Sequence, residues 1–312
     1  AVNSGREHLD TEGLSTVDID GERHLLRDVF ARHPQEMLGE RHAAAFGPNT
    51  HFLLKLLDSA VRLHIQCHPT VEFARAHLGS NSGKTEAYVI LGARREIRQP
   101  YIYLGFQHVP DRRRFREAIE TQDTAFLSAC FERIPVQPGD VFIVPGGVPH
   151  AIGEGVLMIE LMEPTDFAVR IEFERGGYVL PQSARFMGRD IDWALSMFDF
   201  SETSVARVRE RFFLAPRQTG AWGGSREYSL VDKEATPCFR LKKLHVGGAL
   251  TRREDSFYAG IVTGGSGRMR CAGTVGDLSL GGRFFVPHGT EDVVFESATG
   301  LEMVCALPAA AG

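Results

Sequence analysis

The chain has 312 residues, of which 43% are hydrophobic and 24% are charged, and its formal net charge is −5. This composition is that of an ordinary soluble globular protein, and it excludes disordered, collagen-like, coiled-coil and disulfide-scaffold proteins. The negative charge disfavours a nucleic-acid partner, and no apolar stretch approaches the ~18–20 residues that cross a membrane.

The cysteines and the N-terminus predict the compartment. The five cysteines are scattered, odd in number and without a CxxC pair, which is typical of a reduced protein. The N-terminal segment AVNSGREHLDTEG is polar and does not resemble a signal peptide. We therefore expect a cytoplasmic protein.

The first fifty residues predict helices. Apolar residues recur at helical spacing within 22–45, and a second short helix is predicted after His33-Pro34. Strand patterns begin at Phe52, with the runs FLLKLLD (52–58) and VRLHIQCH (61–68) on either side of a turn.

Strands and short helices alternate in the middle of the chain. Thr70 is the predicted N-cap of a helix over 71–78, and a helical insert is predicted over about 107–131. Further helices are predicted over 191–197 and 205–211. The predicted strands are EAYVILGA (86–93), YIYLGF (101–106), VFIVP (141–145), VLMIELM (156–162) and FAVRIEFE (167–174).

The C-terminal part predicts a second β-domain. From Tyr228 onward, about eight short apolar runs are separated by turn signals every eight to twelve residues, as in an all-β sandwich or barrel. The segments GDVFIVPGGVPH (139–150) and GGRFFVPHGTED (281–292) form a faint internal repeat that aligns His150 with Asp292. The repeat favours two related β-barrels, of which only the first keeps the histidine.

Gln66 and His68 form the first candidate site. Residues two apart on a strand point to the same face, ~6.5–7 Å apart, and polar side chains that point inward need partners. A metal ion satisfies both, through the imidazole of His68 and the amide oxygen of Gln66. A strand with one solvent-facing side also explains the pair.

Two later segments extend this set. Lys84-Thr85-Glu86 opens a strand, so Lys84 and Glu86 share a face, and His150 follows a PGG turn. Gln66, His68, Glu86 and His150 would make a set of two imidazoles, one carboxylate and one amide. Such a set suits zinc and does not exclude iron, cobalt or manganese. Because the amide is neutral, the site would keep a net positive charge that can polarise a sugar oxygen.

Three segments resemble the type I mannose-6-phosphate isomerases (phosphomannose isomerases), a zinc-dependent family of two-cupin aldose–ketose isomerases. They are KLLDSAVRLHIQCHPTVEFA, GKTEAYVI and PVQPGDVFIVPGGVPHAIGEGVLMIE, and the resemblance, to the short bacterial class, covers roughly residues 22–312. It implies a mainly β fold of two cupin (jelly-roll) β-barrels with a small helical insert and helical lead-in segments. The implied domains are a helical lead-in over 1–50, a metal-binding barrel over 51–175 with its insert at about 107–131, a connecting segment over 176–225 and a second, degenerate barrel over 226–312.

The resemblance also implies roles for individual residues. It implies one Zn²⁺ per chain, with other divalent metals left open. Three of the residues have a simpler alternative. Arg170 would form an ordinary surface salt bridge, and Glu160 and Asp166 would be ordinary surface carboxylates. The implied metal ligands are Gln66, His68, Glu86 and His150, the implied catalytic residues are Arg170, Lys84 and Glu160, and the implied substrate-binding residues are His64 and Asp166.

One position departs from the family pattern. The family has a serine two residues before the zinc-binding Gln, where it helps to hold the substrate phosphate, and this chain has His64 there. His64 is predicted to share the strand face of Gln66 and His68 and to line the pocket. The departure leaves the mode of phosphate recognition open.

The implied reaction interconverts D-mannose 6-phosphate and D-fructose 6-phosphate through a cis-enediol. Moving a proton between C1 and C2 needs a base near the C–H bond and positive charge near the oxygen that becomes negative. Glu160 and Lys84 are the candidate bases, and Arg170 and zinc are the candidate charges.

Two alternatives stay open: a related cupin isomerase that acts on a different or non-phosphorylated sugar, and a non-catalytic sugar-binding or sensing protein. The expected partner is a small sugar phosphate, with no nucleic acid and no membrane. We expect a monomer or a small homo-oligomer.

Overall fold

The computed structural model describes residues 14–19 and 21–309. The chain divides into two compact units: one combines the chain up to Leu54 with the chain from Ala215 onward, and the other is formed by Lys55–Leu214. Both units contain antiparallel sheets, so the mainly β prediction is confirmed. The predicted domain boundaries stay a prediction, and the polar segment before residue 14 lies outside the described residues.

The described N-terminal part starts with a β-hairpin. The helical prediction is wrong for residues 22–25, which form a strand, and the helix begins only at Leu26. Gly21 has φ +83°, a left-handed conformation that suits glycine and closes the tight turn of the hairpin. The elements are β1 (Thr16–Ile19), β2 (Glu22–Leu25), α1 (Leu26–Arg32), α2 (Pro34–Leu38) and α3 (Glu40–Phe46).

The unit Lys55–Leu214 carries all of the predicted site residues, on or beside short elements, and the strand that leads into it begins at Leu53. In chain order its elements are β3 (Leu53–Asp58), β4 (Gln66–Cys67), α4 (Val71–His77), β5 (Glu86–Ala93), β6 (Tyr101–Leu104), α5 (Arg112–Thr121), α6 (Thr124–Ala129), β7 (Ile134–Pro135), β8 (Val141–Val144), β9 (His150–Ile152), β10 (Val156–Met162), β11 (Val169–Arg170), β12 (Glu174–Arg175), β13 (Tyr178–Val179), α7 (Gln182–Arg185), α8 (Ile191–Ser196) and α9 (Val205–Phe212).

Two antiparallel sheets organise this unit. One has the strand order β3-β10-β5-β8, and the other has the order β11-β4-β9-β6-β7. The second sheet packs against α5 and α6 through a core that includes Tyr103, Phe106, Phe115 and Leu127. The Thr70 hydroxyl accepts a hydrogen bond from the backbone N–H of Phe73, which confirms the predicted N-cap of α4.

Two predicted strands are much shorter than their apolar runs. Only Gln66–Cys67 of the run 61–68 pair as a regular strand. In the run 167–174, Val169–Arg170 pair with β4, and Glu174 belongs to the separate strand β12. The backbone N–H of Ile65 donates to the carboxylate of Glu172, and that of Phe173 donates to the side chain of Gln122. Because side chains accept these hydrogen bonds, the backbone there leaves the strand ladder.

The C-terminal part of the other unit forms one sheet. Its order is β14-β15-β16-β20-β17-β18, and β19 pairs with β17. Its core includes Val246, Phe295, Leu301 and Met303, all fully buried. The strands are β14 (Arg217–Trp222), β15 (Ser225–Val231), β16 (Phe239–Arg252), β17 (Tyr258–Cys271), β18 (Thr274–Ser279), β19 (Arg283–Val286) and β20 (Val293–Pro308). Among the described helices, none has the length and apolar character that crossing a membrane requires.

Two glycines let distant segments approach the backbone that follows His68. A Cβ atom on Gly83 would lie 2.6 Å from the carbonyl oxygen of Pro69, and one on Gly146 would lie 2.4 Å from it. The N–H of Lys84 donates to Pro69 O at 3.0 Å, and the N–H of Gly147 donates to His68 O at 2.7 Å. The segments that lead to Glu86 and His150 are therefore fixed to the same short stretch of backbone.

We expect Gly146→Ala to destabilise the protein and to weaken metal binding. The added methyl group has backbone rather than a flexible side chain against it, so the chain must move, at a cost of about 1–3 kcal/mol or more. Urea unfolding and metal titration measure the two effects. Gly92→Ala is the matched control, because a Cβ on Gly92 meets nothing within 4 Å. Equal effects of the two substitutions would contradict the close-approach argument.

Candidate metal centre

Three buried side chains converge in the unit Lys55–Leu214. His68 follows β4, Glu86 begins β5 and His150 begins β9, and their potential ligand atoms all lie within 4.8 Å of one another. The three residues are 1%, 0% and 0% exposed. Two imidazoles and one carboxylate at this spacing can hold a divalent metal ion.

The hydrogen bonds of the two histidines direct one ring nitrogen of each toward the cluster. Nδ1 of His68 lies 2.8 Å from the carbonyl oxygen of Phe167, and Nδ1 of His150 lies 2.9 Å from that of Val148. A carbonyl oxygen only accepts, so both Nδ1 atoms carry the proton and both Nε2 atoms keep their lone pair. Among the described residues, His150 Nε2 is buried without a hydrogen-bond partner, and Glu86 Oε1 is buried with only an ion-pair neighbour, as expected of atoms that fit a metal ion.

The electrostatics favour the protonation states that metal binding requires. Burial and the neighbouring Lys84 ammonium lower the pKa of His68 to about 3, and burial also lowers the pKa of His150. Burial acts to raise the pKa of Glu86, but the neighbouring Lys84 ammonium outweighs it, and the pKa lies well below its usual range. Neutral imidazoles therefore face an ionised carboxylate near neutral pH.

Lys84 and Gln66 lie beside this cluster. The Lys84 ammonium, itself 6% exposed, is 3.0 Å from Glu86 Oε1 and 3.1 Å from His68 Nε2. Gln66 is paired with His150 on one side and with Arg170 on the other side of its strand. The register therefore brings the predicted fourth ligand and the predicted catalytic arginine next to the cluster.

A buried ion pair holds the strand of Gln66 against the strand of Arg170. The guanidinium of Arg62 contacts the carboxylate of Glu172 with two hydrogen bonds of 2.5 and 2.8 Å, and Glu172 also accepts the N–H of Ile65. Burial acts to raise the pKa of Glu172, but Arg62 and this N–H hold it below its usual range. Neither residue was predicted from the sequence, although charged residues inside two apolar runs were a signal for them.

Glu160 lies on the same sheet as Glu86, 4% exposed. Its position on β10 is opposite Tyr88 on β5, and its carboxylate is 3.0 Å from the ammonium of Lys55. Burial and the neighbouring Glu86 carboxylate raise its pKa, against the opposing charges of Lys55 and Lys84. A buried carboxyl with a raised pKa suits proton transfer near neutral pH.

The remaining predicted residues lie further from the cluster. His64 is half-buried outside the regular strand, with its ring edge-on to Tyr178 at 6.3 Å and with Nε2 lacking a hydrogen-bond partner among the described residues. Arg170 donates to the carbonyl oxygen of Ala184 at 3.1 Å. The Asp166 side chain is half-buried and has no hydrogen bond or ion pair within the described ranges.

A cavity of about 740 Å³ lies beside the helical insert, and none of its lining residues belongs to the cluster. It is bounded by Gln122 and Thr124 on one side and by the β12–β13 hairpin on the other, and Arg62 also lines it. Convergent buried polar atoms with perturbed pKa values are a stronger sign of chemistry than volume alone. The cluster of His68, Glu86 and His150 is therefore the candidate site.

The fold and the site together define a class: a mainly β protein of two units with a buried His–Glu–His group that can hold a metal ion. No protein-family model matches the chain. Comparison with curated proteins confirms the resemblance that the motifs indicate. The chain is 32% identical over 146 residues to a probable mannose-6-phosphate isomerase, GmuF, of Bacillus subtilis, across 47% of this chain and 42% of that protein. The match thus spans less than half of that relative's length.

A longer match and two solved structures agree with this result. A mannose-6-phosphate isomerase of Streptococcus mutans is 24% identical over 273 residues, across 87% of this chain and 77% of its own. A putative mannosephosphate isomerase structure from Archaeoglobus fulgidus has a TM-score of 0.71 at 20% identity, covering 95% of this chain and 84% of that one. The Bacillus subtilis mannose 6-phosphate isomerase structure has the same TM-score and identity, with 93% and 83% coverage. The structural likeness establishes the fold.

We expect Glu172→Ala to destabilise the protein by about 3–5 kcal/mol, because it leaves the buried Arg62 guanidinium without its partner. Chemical denaturation measures the free energy of unfolding. Asp58→Ala is the control, since Asp58 pairs with Arg94 at the surface and both side chains are largely exposed. A loss below 1 kcal/mol for Glu172→Ala would contradict the proposed role of the ion pair.

We expect the metal-free protein to lose stability as the pH falls from about 6.5 toward 5. Histidine in the unfolded chain takes up a proton in this range, whereas His68 in the fold, with a pKa of about 3, does not. The unfolded state then binds more protons, which costs on the order of 2 kcal/mol over this interval. Thermal unfolding of the chelator-treated protein at several pH values measures the slope. His68→Gln should flatten it, and an unchanged slope in this variant would assign the effect to other groups.

Proposed function

We propose that this chain is a metal-dependent aldose–ketose isomerase that interconverts D-mannose 6-phosphate and D-fructose 6-phosphate. The observation that carries the proposal is the buried group of His68, Glu86 and His150, on a fold that solved phosphomannose isomerases share. The names of the curated relatives point to the same substrate.

Zinc is the metal that we propose, one ion per chain, with Gln66 as the fourth ligand. The support is the donor set itself, because two neutral imidazoles, one carboxylate and one amide oxygen suit a small divalent cation. When bound, zinc would supply positive charge for the substrate oxygen that becomes negative during enolisation. Its neutral fourth ligand would leave more of that charge to act on the sugar.

The residues around the metal ligands divide the remaining tasks. Arg170 is permanently cationic and lies next to Gln66 in the strand register, so we propose that it stabilises the negative oxygen of the enediolate. Glu160 is our preferred base for the proton that moves between C1 and C2, since its raised pKa suits proton transfer. Lys84 is the second candidate for this role, on the strength of its position 3.0 Å from Glu86.

Substrate recognition is assigned to His64 and Asp166. The unpartnered Nε2 of His64 can bond an external group, and the nearby guanidinium groups of Arg170, Arg175 and Arg62 would attract an anion. Asp166 has its carboxylate available for a sugar hydroxyl. Because His64 replaces the serine of the family pattern, a non-phosphorylated sugar is the second candidate substrate.

We expect His150→Ala to lose the bound metal and to lower isomerase turnover by about 100-fold or more, because it removes one of the ligands. Metal content and turnover are measured on the same sample. His245→Ala, which changes a partly exposed histidine of β16, is the control and should keep both. Retained turnover in His150→Ala would overturn the proposal.

The substrate is tested on the wild-type protein with mannose, mannose 6-phosphate and a small panel of other aldoses and their 6-phosphates. A strong preference for mannose 6-phosphate supports the first candidate. A preference for a free sugar supports the second. Bound metal without turnover on any member of the panel would favour a sugar-binding protein.

A further inference from the structure

We propose that the hydroxyl of Tyr88 is a positioning group for Glu86, holding the carboxylate so that Oε1 alone faces the metal. The inference rests on the metal centre of the proposed function. It concerns a residue that the motifs did not single out, and it predicts the coordination mode of the carboxylate.

The geometry separates the two carboxylate oxygens. Tyr88 follows Glu86 by two positions on β5, so both side chains lie on one face of the sheet. The hydroxyl donates to Glu86 Oε2 at 2.7 Å. Oε1 lies 3.1 Å from His68 Nε2 and 3.0 Å from the ammonium of Lys84, which is its ion-pair partner. The direction of Oε2 is therefore fixed by a hydrogen bond, whereas Oε1 lies beside the imidazole of His68 and the ammonium of Lys84, the side from which a metal ion would bind.

The held oxygen is the one that needs restraint. Oε2 lies 3.5 Å from Nε2 of His150, so both oxygens are near imidazole ligands. A carboxylate that is free to turn can bind a metal through both oxygens. The hydrogen bond from Tyr88 opposes that turn and favours binding through one oxygen, which preserves an open position for substrate.

The surroundings of Tyr88 leave Glu86 as the acceptor for its hydroxyl. Its side chain is 1% exposed, and Glu160 lies opposite it on β10. An ionised carboxylate only accepts hydrogen bonds, so the Tyr88 hydroxyl is the donor to Glu86 Oε2. Glu160 has the ammonium of Lys55 at 3.0 Å, which leaves the hydroxyl to Glu86.

The test compares wild type with Tyr88→Phe, using Co²⁺ as the probe metal. Competition with a chelator measures affinity, and the intensity of the visible absorption of bound Co²⁺ reports coordination number. We expect affinity to fall about 10- to 100-fold, and the absorption to weaken as the freed carboxylate binds through both oxygens. Tyr103→Phe is the matched control: Tyr103 is 8% exposed on β6, stacks on Phe131, and should leave both readouts unchanged.

Each result of these measurements either supports or overturns the positioning role of Tyr88. Wild-type affinity and absorption in Tyr88→Phe would overturn it, and so would weaker binding with an unchanged spectrum, because the hydroxyl would then support only the fold. If the variant does not fold, infrared difference spectra of the wild type on metal loading decide: band separation typical of one-oxygen binding supports the inference, and that of two-oxygen binding overturns it. A wild type that takes up no Co²⁺ refutes the metal centre itself, whereas metal uptake without isomerase turnover refutes only the proposed reaction.

Discussion

The candidate centre depends on a close approach of backbone at one place, just after His68. His68 and Pro69 offer carbonyl oxygens to the N–H groups of Gly147 and Lys84, segments that are distant in the chain. Gly83 and Gly146 have no Cβ, and any side chain there would collide with the carbonyl of Pro69. Glu86 lies three residues after Gly83, and His150 lies four residues after Gly146. The convergence of His68, Glu86 and His150 therefore depends on backbone packing as well as on the side chains themselves.

Burying these side chains together costs free energy unless the carboxylate has an opposite charge or hydrogen-bond donors beside it. An ionised carboxylate without partners is strongly disfavoured in such a site. Glu86 is completely buried, and it is compensated by the Lys84 ammonium and by the hydroxyl of Tyr88. The two histidines stay neutral because burial disfavours their charged form. The same arrangement that makes the fold tolerate Glu86 presents two imidazole lone pairs and one carboxylate oxygen to a cation.

Much of the site could be predicted from the sequence, because its residues lie in short motifs with strand spacing. The strand that begins at Glu86 was predicted, as was the N-cap after His68, whereas the short strand that begins at His150 was predicted only as the end of a turn. The pairing of Arg62 with Glu172 could not be, since 110 residues separate them and only the fold brings them together. The runs around Gln66 and Arg170 were predicted as long strands. They are shorter because Glu172 accepts the backbone N–H of Ile65 as well as bonding Arg62. The hairpin at 16–25 was not predicted, because the apolar residues at helical spacing begin within its second strand.

Glu86 and Glu160 illustrate how two carboxyl groups on one sheet can have different chemistry. Glu86 and Glu160 lie on paired strands and are both almost completely buried. Glu86 has Lys84 and Tyr88 beside it, and its pKa is held low, whereas Glu160 has a single ammonium at 3.0 Å and its pKa is raised. Neighbouring carboxyl groups with pKa values moved apart are typical of sites in which one group stays ionised and the other transfers a proton. Glu86 therefore has the chemistry of a metal ligand and Glu160 that of a base, and the hydroxyl of Tyr88, which is opposite Glu160 in the strand register, donates to Glu86.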